Sequence, residues 1–167
     1  MKNIVLIGMP GVGKSTAGVV LAKVLGYQFV DADLLIQEEE QCLLHEIINN
    51  KGTDEFIKIE NRVNAGINVE KSVIATGGSV VYGQEAMEHL RKIGTVVYLK
   101  LPYEVLNQRL QNIKGRGVVL RDGQTLLDLY EERIPLYEKY ADLVIEENEL
   151  SVEETIEEIV KELKNQE

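Results

Sequence analysis

Short β-branched and aliphatic runs alternate along this chain with longer segments in which apolar residues recur at helical spacing. The runs at 4–7, 27–30, 73–75, 95–99 and 143–145 predict strands. Most are apolar throughout rather than alternating, which suits strands covered on both faces. Between them the spacing predicts helices at about 15–25, 33–49, 53–68, 84–92, 103–111 and 124–139. Strand–helix alternation of this kind argues for an α/β fold on a parallel sheet. No internal repeat or low-complexity linker interrupts it, so residues 1–167 read as one domain. Near the end, Val152, Ile156, Ile159, Val160 and Leu163 line one stripe of an amphipathic helix expected to dock on the body.

Composition narrows the function classes. With 44% apolar and 28% charged residues the chain is neither disordered nor fibrous. One cysteine, Cys42, excludes a disulfide framework, and His45 and His89 beside it exclude the usual zinc spacings. Eighteen basic against 28 acidic residues give a net charge of −10, which argues against a nucleic-acid partner. Nine glutamates of that excess lie in residues 146–167 against Lys161 and Lys164, and read as a solvated acidic face. The N-terminal apolar run stops after four residues at Gly8, unlike a signal peptide, and no run approaches the ~18 residues of a membrane span. A cytoplasmic monomer without a membrane partner is expected.

The strongest chemical signal is Gly8-Met9-Pro10-Gly11-Val12-Gly13-Lys14-Ser15, which fits G-x-x-x-x-G-K-[ST] and is followed by Thr16. A predicted strand enters this segment and a predicted helix leaves it. Glycines let such a loop wrap an oxygen-rich anion with backbone N–H groups, and the helix dipole adds to the attraction. Lys14 is placed to reach the β- and γ-phosphates of a nucleotide, and the Ser15 hydroxyl to ligate Mg²⁺.

Other candidates fall at strand ends, where an open α/β sheet forms its ligand crevice. Asp31 and Asp33, at i and i+2, would point to one side of an extended segment. One carboxylate could hold a metal-bound water and the other orient an acceptor hydroxyl; the alternative is a helix N-cap. Thr76-Gly77-Gly78-Ser79 allows close backbone approach to a ligand, though a plain turn would use the same glycines. Residues 109–121 carry Arg109, Lys114, Arg116 and Arg121 with interleaved glycines and no acid, the composition of a lid over phosphates. Arg133 is the last candidate.

Together these pieces resemble the shikimate kinase family over essentially the whole chain. They are the loop at 8–16, Asp31-x-Asp33, Phe56-x-x-x-Glu60, Thr76-Gly77-Gly78, Arg109 with Arg116 seven residues on, and Arg133-x-x-Leu136-Tyr137 with Ala141-Asp142, in family order and spacing. The resemblance implies a P-loop NTPase fold of the nucleoside-monophosphate-kinase type, a five-stranded parallel sheet in order 2-3-1-4-5 flanked by helices. It implies transfer of the ATP γ-phosphate to the 3-hydroxyl of shikimate, with ATP and Mg²⁺ as cofactors. It divides the domain into the phosphate loop, an acceptor-binding region at about 33–60 and a lid at about 112–123. By the same resemblance Gly11, Val12, Gly13, Lys14, Ser15 and Thr16 cradle the phosphates. Ser15 binds the metal with Asp31 near it, Asp33 takes the acceptor hydroxyls, and Gly77 and Gly78 line the acceptor. Arg109 lies by the adenine, Arg116 closes on the phosphates, and Arg133 pairs with the acceptor's carboxylate. Lys14, Asp33 and Arg116 are the expected catalytic residues.

Three positions depart from the family pattern. Its Phe-Arg-x-x-Glu is Phe56-Ile57-Lys58-Ile59-Glu60 here, its third glycine is Ser79, and its lid Arg-Pro is Arg116-Gly117. The arginine absent at 57 is one that clamps the acceptor's carboxylate. On a helical wheel Phe56, Ile59, Val63 and Ile67 form the buried stripe, while Ile57 sits on a flank with Glu60, Asn61 and Asn64. Ile57 is then either a pocket wall or a packing contact, and neither Lys58 nor Arg62 falls where it could replace the arginine. Two other functions stay open on these grounds: a paralogous kinase for a small polyol or hydroxy metabolite with less negative charge, and a nucleotide-binding module without acceptor chemistry.

Overall fold

A computed structural model describes residues 2–111 and 123–167. The expected lid, with Lys114, Arg116 and Arg121, therefore lies outside the described residues except for Gly123. In chain order the elements are β1 (Asn3–Ile7), α1 (Lys14–Leu25), β2 (Gln28–Asp31), α2 (Ala32–Glu40), α3 (Leu44–Lys51), α4 (Thr53–Ala65) and β3 (Ser72–Ala75). A single 3₁₀ turn (Val80–Tyr82) leads to α5 (Gln84–Ile93), β4 (Gly94–Lys100), α6 (Tyr103–Gln111), α7 (Leu126–Tyr140), β5 (Leu143–Glu146) and α8 (Val152–Asn165). The strands form one five-stranded sheet in the order β2-β3-β1-β4-β5, and every pairing is parallel. This is the expected topology.

The apolar runs become the central strands because helices cover both faces. All five residues of β1 and all four of β3 are buried, whereas the edge strand β5 alternates, with Val144 turned outward. Parallel pairing aligns the carboxyl ends of all five strands along one edge, and the chain segments that follow them make the site. Asp142, from the Ala141-Asp142 pair, fixes the register at the far strand: its Oδ2 accepts from the N–H of Val96 at 2.8 Å while its own N–H donates to the Val96 carbonyl at 2.8 Å. That part of the motif is structural.

Two expectations need correction. The helix expected at 33–49 is two helices, because Gln41 closes α2 in the left-handed conformation (φ 55°) and Glu46 Oε1 accepts from the N–H of Leu43 to start α3. The helix expected to 68 ends at Ala65, where the Gly66 N–H closes on Val63 and Asn64 carbonyls. The amphipathic tail is α8, capped by Ser151 and docked through Thr155, Ile156 and Ile159. No helix among the described residues is long and apolar enough to cross a membrane.

The apolar interior is divided. The main core surrounds the sheet. A second, smaller cluster joins Ile36, Ile47, Phe56 and Ile59 from α2, α3 and α4, with Ile57 packed on it. These helices border one end of the site described below.

Candidate active site

The loop between β1 and α1 turns through Gly11 (φ 91°) and Gly13 (φ 88°), conformations that side-chain-bearing residues rarely adopt. No side chain caps α1, so its first turn presents N–H groups and the positive end of the helix dipole to the hollow of the loop. Lys14 is buried and folds back over the loop, its Nζ donating to the carbonyls of Gly8 (2.7 Å) and Met9 (3.0 Å). Loop and crevice form one cavity of about 220 Å³, bounded by residues of the loop, Asp33, Leu44 and Thr76 to Gly78. This is a cradle for a polyphosphate, and the residues present fit one.

Beside it, the Ser15 hydroxyl donates to Asp31 Oδ2 at 3.3 Å. The two aspartates are not on one extended segment as the spacing suggested. Asp31 ends β2 and caps α2, its Oδ1 accepting from the N–H groups of Asp33 (2.9 Å) and Leu34 (3.4 Å). Asp33 lies inside the first turn. The N-cap alternative therefore holds for Asp31, while its second oxygen still faces Ser15. A hydroxyl and a carboxylate oxygen at this spacing beside the loop are a donor set suited to a hard cation such as Mg²⁺.

Adjoining this cavity, a recess of about 30 Å³ is lined by Asp33, Phe56, Glu60, Ser79 and Arg133, among others. Gly77 permits its closeness. A Cβ there would stand 2.6 Å from Glu60 Oε2 and 2.7 Å from Asp33 Oδ1. Arg133 is 1% exposed and its guanidinium lies 5.4 Å from the ring centre of Tyr82. Tyr137, one helical turn on, donates to the Gly78 carbonyl at 2.6 Å and stacks on Tyr98 at 5.0 Å between ring centres.

Glu60 received no role from the sequence. The wheel placed it on a polar flank with Asn64, yet both are buried, because β3's following turn and α5 cover that side of α4. Its Oε1 accepts from the Ser79 hydroxyl at 2.5 Å. Burial pushes its carboxyl up to about 7; the Ser79 bond opposes this, Asp33 adds to it, and Arg133 and Lys14 oppose it. The one available signal was the Phe56-x-x-x-Glu60 spacing.

Glu147 was missed altogether. It follows β5, its N–H donating to the Lys100 carbonyl, and it is 9% exposed with Oε1 lacking a hydrogen-bond partner. Burial pushes its carboxyl up to about 7 against the pull of Arg109 and Lys14. Arg109 itself donates from Nη1 to the Gly11 carbonyl at 2.9 Å, which tethers α6 to the phosphate loop. Ile57 is a packing contact on the second apolar cluster and lines neither cavity. Arg116 lies outside the described residues.

Comparison with known proteins agrees with this geometry. The family profile described as shikimate kinase matches residues 10–164. The chain belongs to the shikimate kinase family. The shikimate kinase of Thermodesulfovibrio yellowstonii is 39% identical over 165 residues, covering 97% of this chain and 95% of that protein. The shikimate kinase from Acinetobacter baumannii, solved in complex with shikimate, superposes with a TM-score of 0.90 at 32% identity, over 100% of this chain and 95% of that one. The Aquifex aeolicus shikimate kinase gives 0.82 at 33% identity, over 98% and 97%. Membership makes the chain a kinase, an ATP-dependent phosphotransferase acting on an alcohol group.

Proposed function

We propose that this kinase transfers the γ-phosphate of ATP to the 3-hydroxyl of shikimate. The observation that carries the reading is that Asp33 and Arg133 line one recess on the acceptor side of the phosphate loop. A hydroxyl can meet the carboxylate there while an acid group meets the guanidinium. When bound, Mg-ATP supplies the transferable phosphoryl group and a cation that offsets its charge.

Each residue then has a role. The N–H groups of Gly11 to Thr16 hold the phosphates, and Lys14 adds positive charge at the mouth of the loop. Ser15 and Asp31 would hold Mg²⁺. Asp33 accepts the hydrogen bond of the acceptor hydroxyl, orients its oxygen and takes its proton. Arg133 holds the acceptor's carboxylate, with Gly77 and Gly78 as the wall. Arg109 is assigned to the adenine side and Arg116 to charge over the phosphates. One cysteine in 167 residues suits the cytoplasm. An ADP-release assay with shikimate, Mg²⁺ and ATP tests the reading: turnover is expected, and none at millimolar shikimate would overturn it.

The packing of a half-buried Ile57 against an apolar cluster favours one second reading. Without a cation at that position, the acceptor could be a less anionic polyol or hydroxy metabolite. A screen of such alcohols by ADP release separates the two, because a polyol turned over with higher kcat/KM than shikimate would select the second.

A further inference from the structure

The acceptor recess poses a problem of charge. If shikimate binds as proposed, its carboxylate joins two carboxyls of the chain, Asp33 on α2 and Glu60 on α4, both within reach of Gly77. Facing them are Arg133 on α7 and, from α1, Lys14, whose ammonium is bonded to the loop carbonyls and serves the phosphates. Tyr137 also faces Glu60 from α7. The position that carries arginine in the family pattern is Ile57, packed with Ile36, Ile47, Phe56 and Ile59. Among the described residues Arg133 is the one cation lining this recess, and three ionised carboxylates around it repel one another, which favours a proton held in the group.

Geometry selects which oxygen holds it. Asp33 is half-buried, whereas Glu60 is 1% exposed and is cut off most completely from water. The Ser79 hydroxyl occupies Glu60 Oε1, and Oε2 is the oxygen turned toward Gly77 and the recess. Ser79 is itself a departure, standing where the family pattern has its third glycine. Position 57 thus holds no cation, and position 79 holds a hydroxyl bonded to Glu60.

We propose that Glu60 works as the neutral acid, donating a hydrogen bond from Oε2 to the bound substrate, and so lets the recess take an anionic hydroxy acid with no cation at position 57. Glu60 is then a specificity-determining residue, and its partner Ser79 a positioning one. The inference rests on the shikimate reading. It has a consequence that a packing role lacks, since affinity for the acid must fall as Glu60 ionises.

The test measures KM and kcat for shikimate from pH 5.5 to 9 at saturating Mg-ATP, with shikimate affinity by calorimetry in the absence of nucleotide. The wild type is expected to hold a constant affinity below about pH 7 and to lose it about tenfold for each pH unit well above, with a much smaller change in kcat. Glu60→Gln, which keeps an uncharged donor, should carry the low-pH affinity out to pH 9. Ser79→Gly should move the break to higher pH, because the lost bond favoured the ionised form. Turnover with a KM flat across the whole range overturns the inference and leaves the shikimate reading intact. So does a folded Glu60→Gln whose affinity still falls with pH like the wild type. Absence of turnover at every pH overturns the shikimate reading, and this inference with it. If Glu60→Gln does not fold, the wild-type and Ser79→Gly profiles decide.

Discussion

The hydroxyl of Tyr137 donates to the carbonyl of Gly78 at 2.6 Å, joining α7 to the glycine turn that walls the acceptor recess. Arg133 sits one turn earlier on the same helix, so this bond sets how far its guanidinium stands from Gly78. Tyr137→Phe keeps the stack on Tyr98 and removes the bond. A loss of about 1–2 kcal/mol is expected, seen as a melting temperature lower by roughly 2–8 °C, together with a higher KM for the acceptor. Unchanged melting and KM would show that the turn is held by other contacts.

Lys14 and Asp33 stand on opposite sides of the site and act on different partners. Lys14→Ala and Asp33→Asn should each lower kcat by roughly 10²- to 10³-fold or more. Far-UV circular dichroism should not change in either. The difference lies in binding: only Lys14→Ala should weaken ADP in calorimetry. An active Asp33→Asn would remove that residue from the acceptor assignment.

Ile57→Arg exchanges an apolar contact for a cation. A charge-assisted bond to the acceptor's carboxylate is worth roughly 1.5–3 kcal/mol, so KM for shikimate should fall by about 10- to 150-fold. The second apolar cluster loses a partner, and the melting temperature should drop by a few degrees. If KM stays at its wild-type value, position 57 does not reach the acceptor.

Glu147 titrates near pH 7 in the folded chain, against about 4.3 for an ordinary glutamate in the unfolded one. Below the lower value both states hold the proton and burial exacts no charge penalty. Between the two the folded chain holds the extra proton, so stability falls as pH rises through 7 and stays lowered above it. Glu147→Gln removes that decline. Its melting temperature should exceed the wild type's at pH 8.5 by an amount equivalent to about 1–3 kcal/mol, and the gap should narrow as pH falls and close only at about pH 4, below the unfolded value. A gap that is the same at both pH values would mean that Glu147 is not ionised by folding-linked titration.

The phosphate loop and the sheet were legible because each is written in local terms, glycine spacing for one and unbroken apolar runs for the other. Motif order put Asp33 and Arg133 forward as candidates, and the fold brings both to one recess. Glu60 was not, since a wheel drawn for one helix cannot show what covers its flank; the 3₁₀ turn and α5 bury what looked like a polar face. Ile57 could not be decided for the same reason. The break at Gln41 was hidden because Ile36, Leu44 and Ile47 continue an apolar rhythm across it. Glu147 belongs to a glutamate-rich segment, where nothing distinguishes one carboxyl that turns inward from its solvated neighbours.

The separation of the small cluster under α2, α3 and α4 from the apolar mass around the sheet has a mechanical meaning. That cluster is small, and Cys42, Leu44, Ile48 and Val63 at its edge are only partly buried, so α3 has less apolar packing to lose on opening than the central strands have. Amide exchange in α3 should then proceed through openings of lower free energy than in β1.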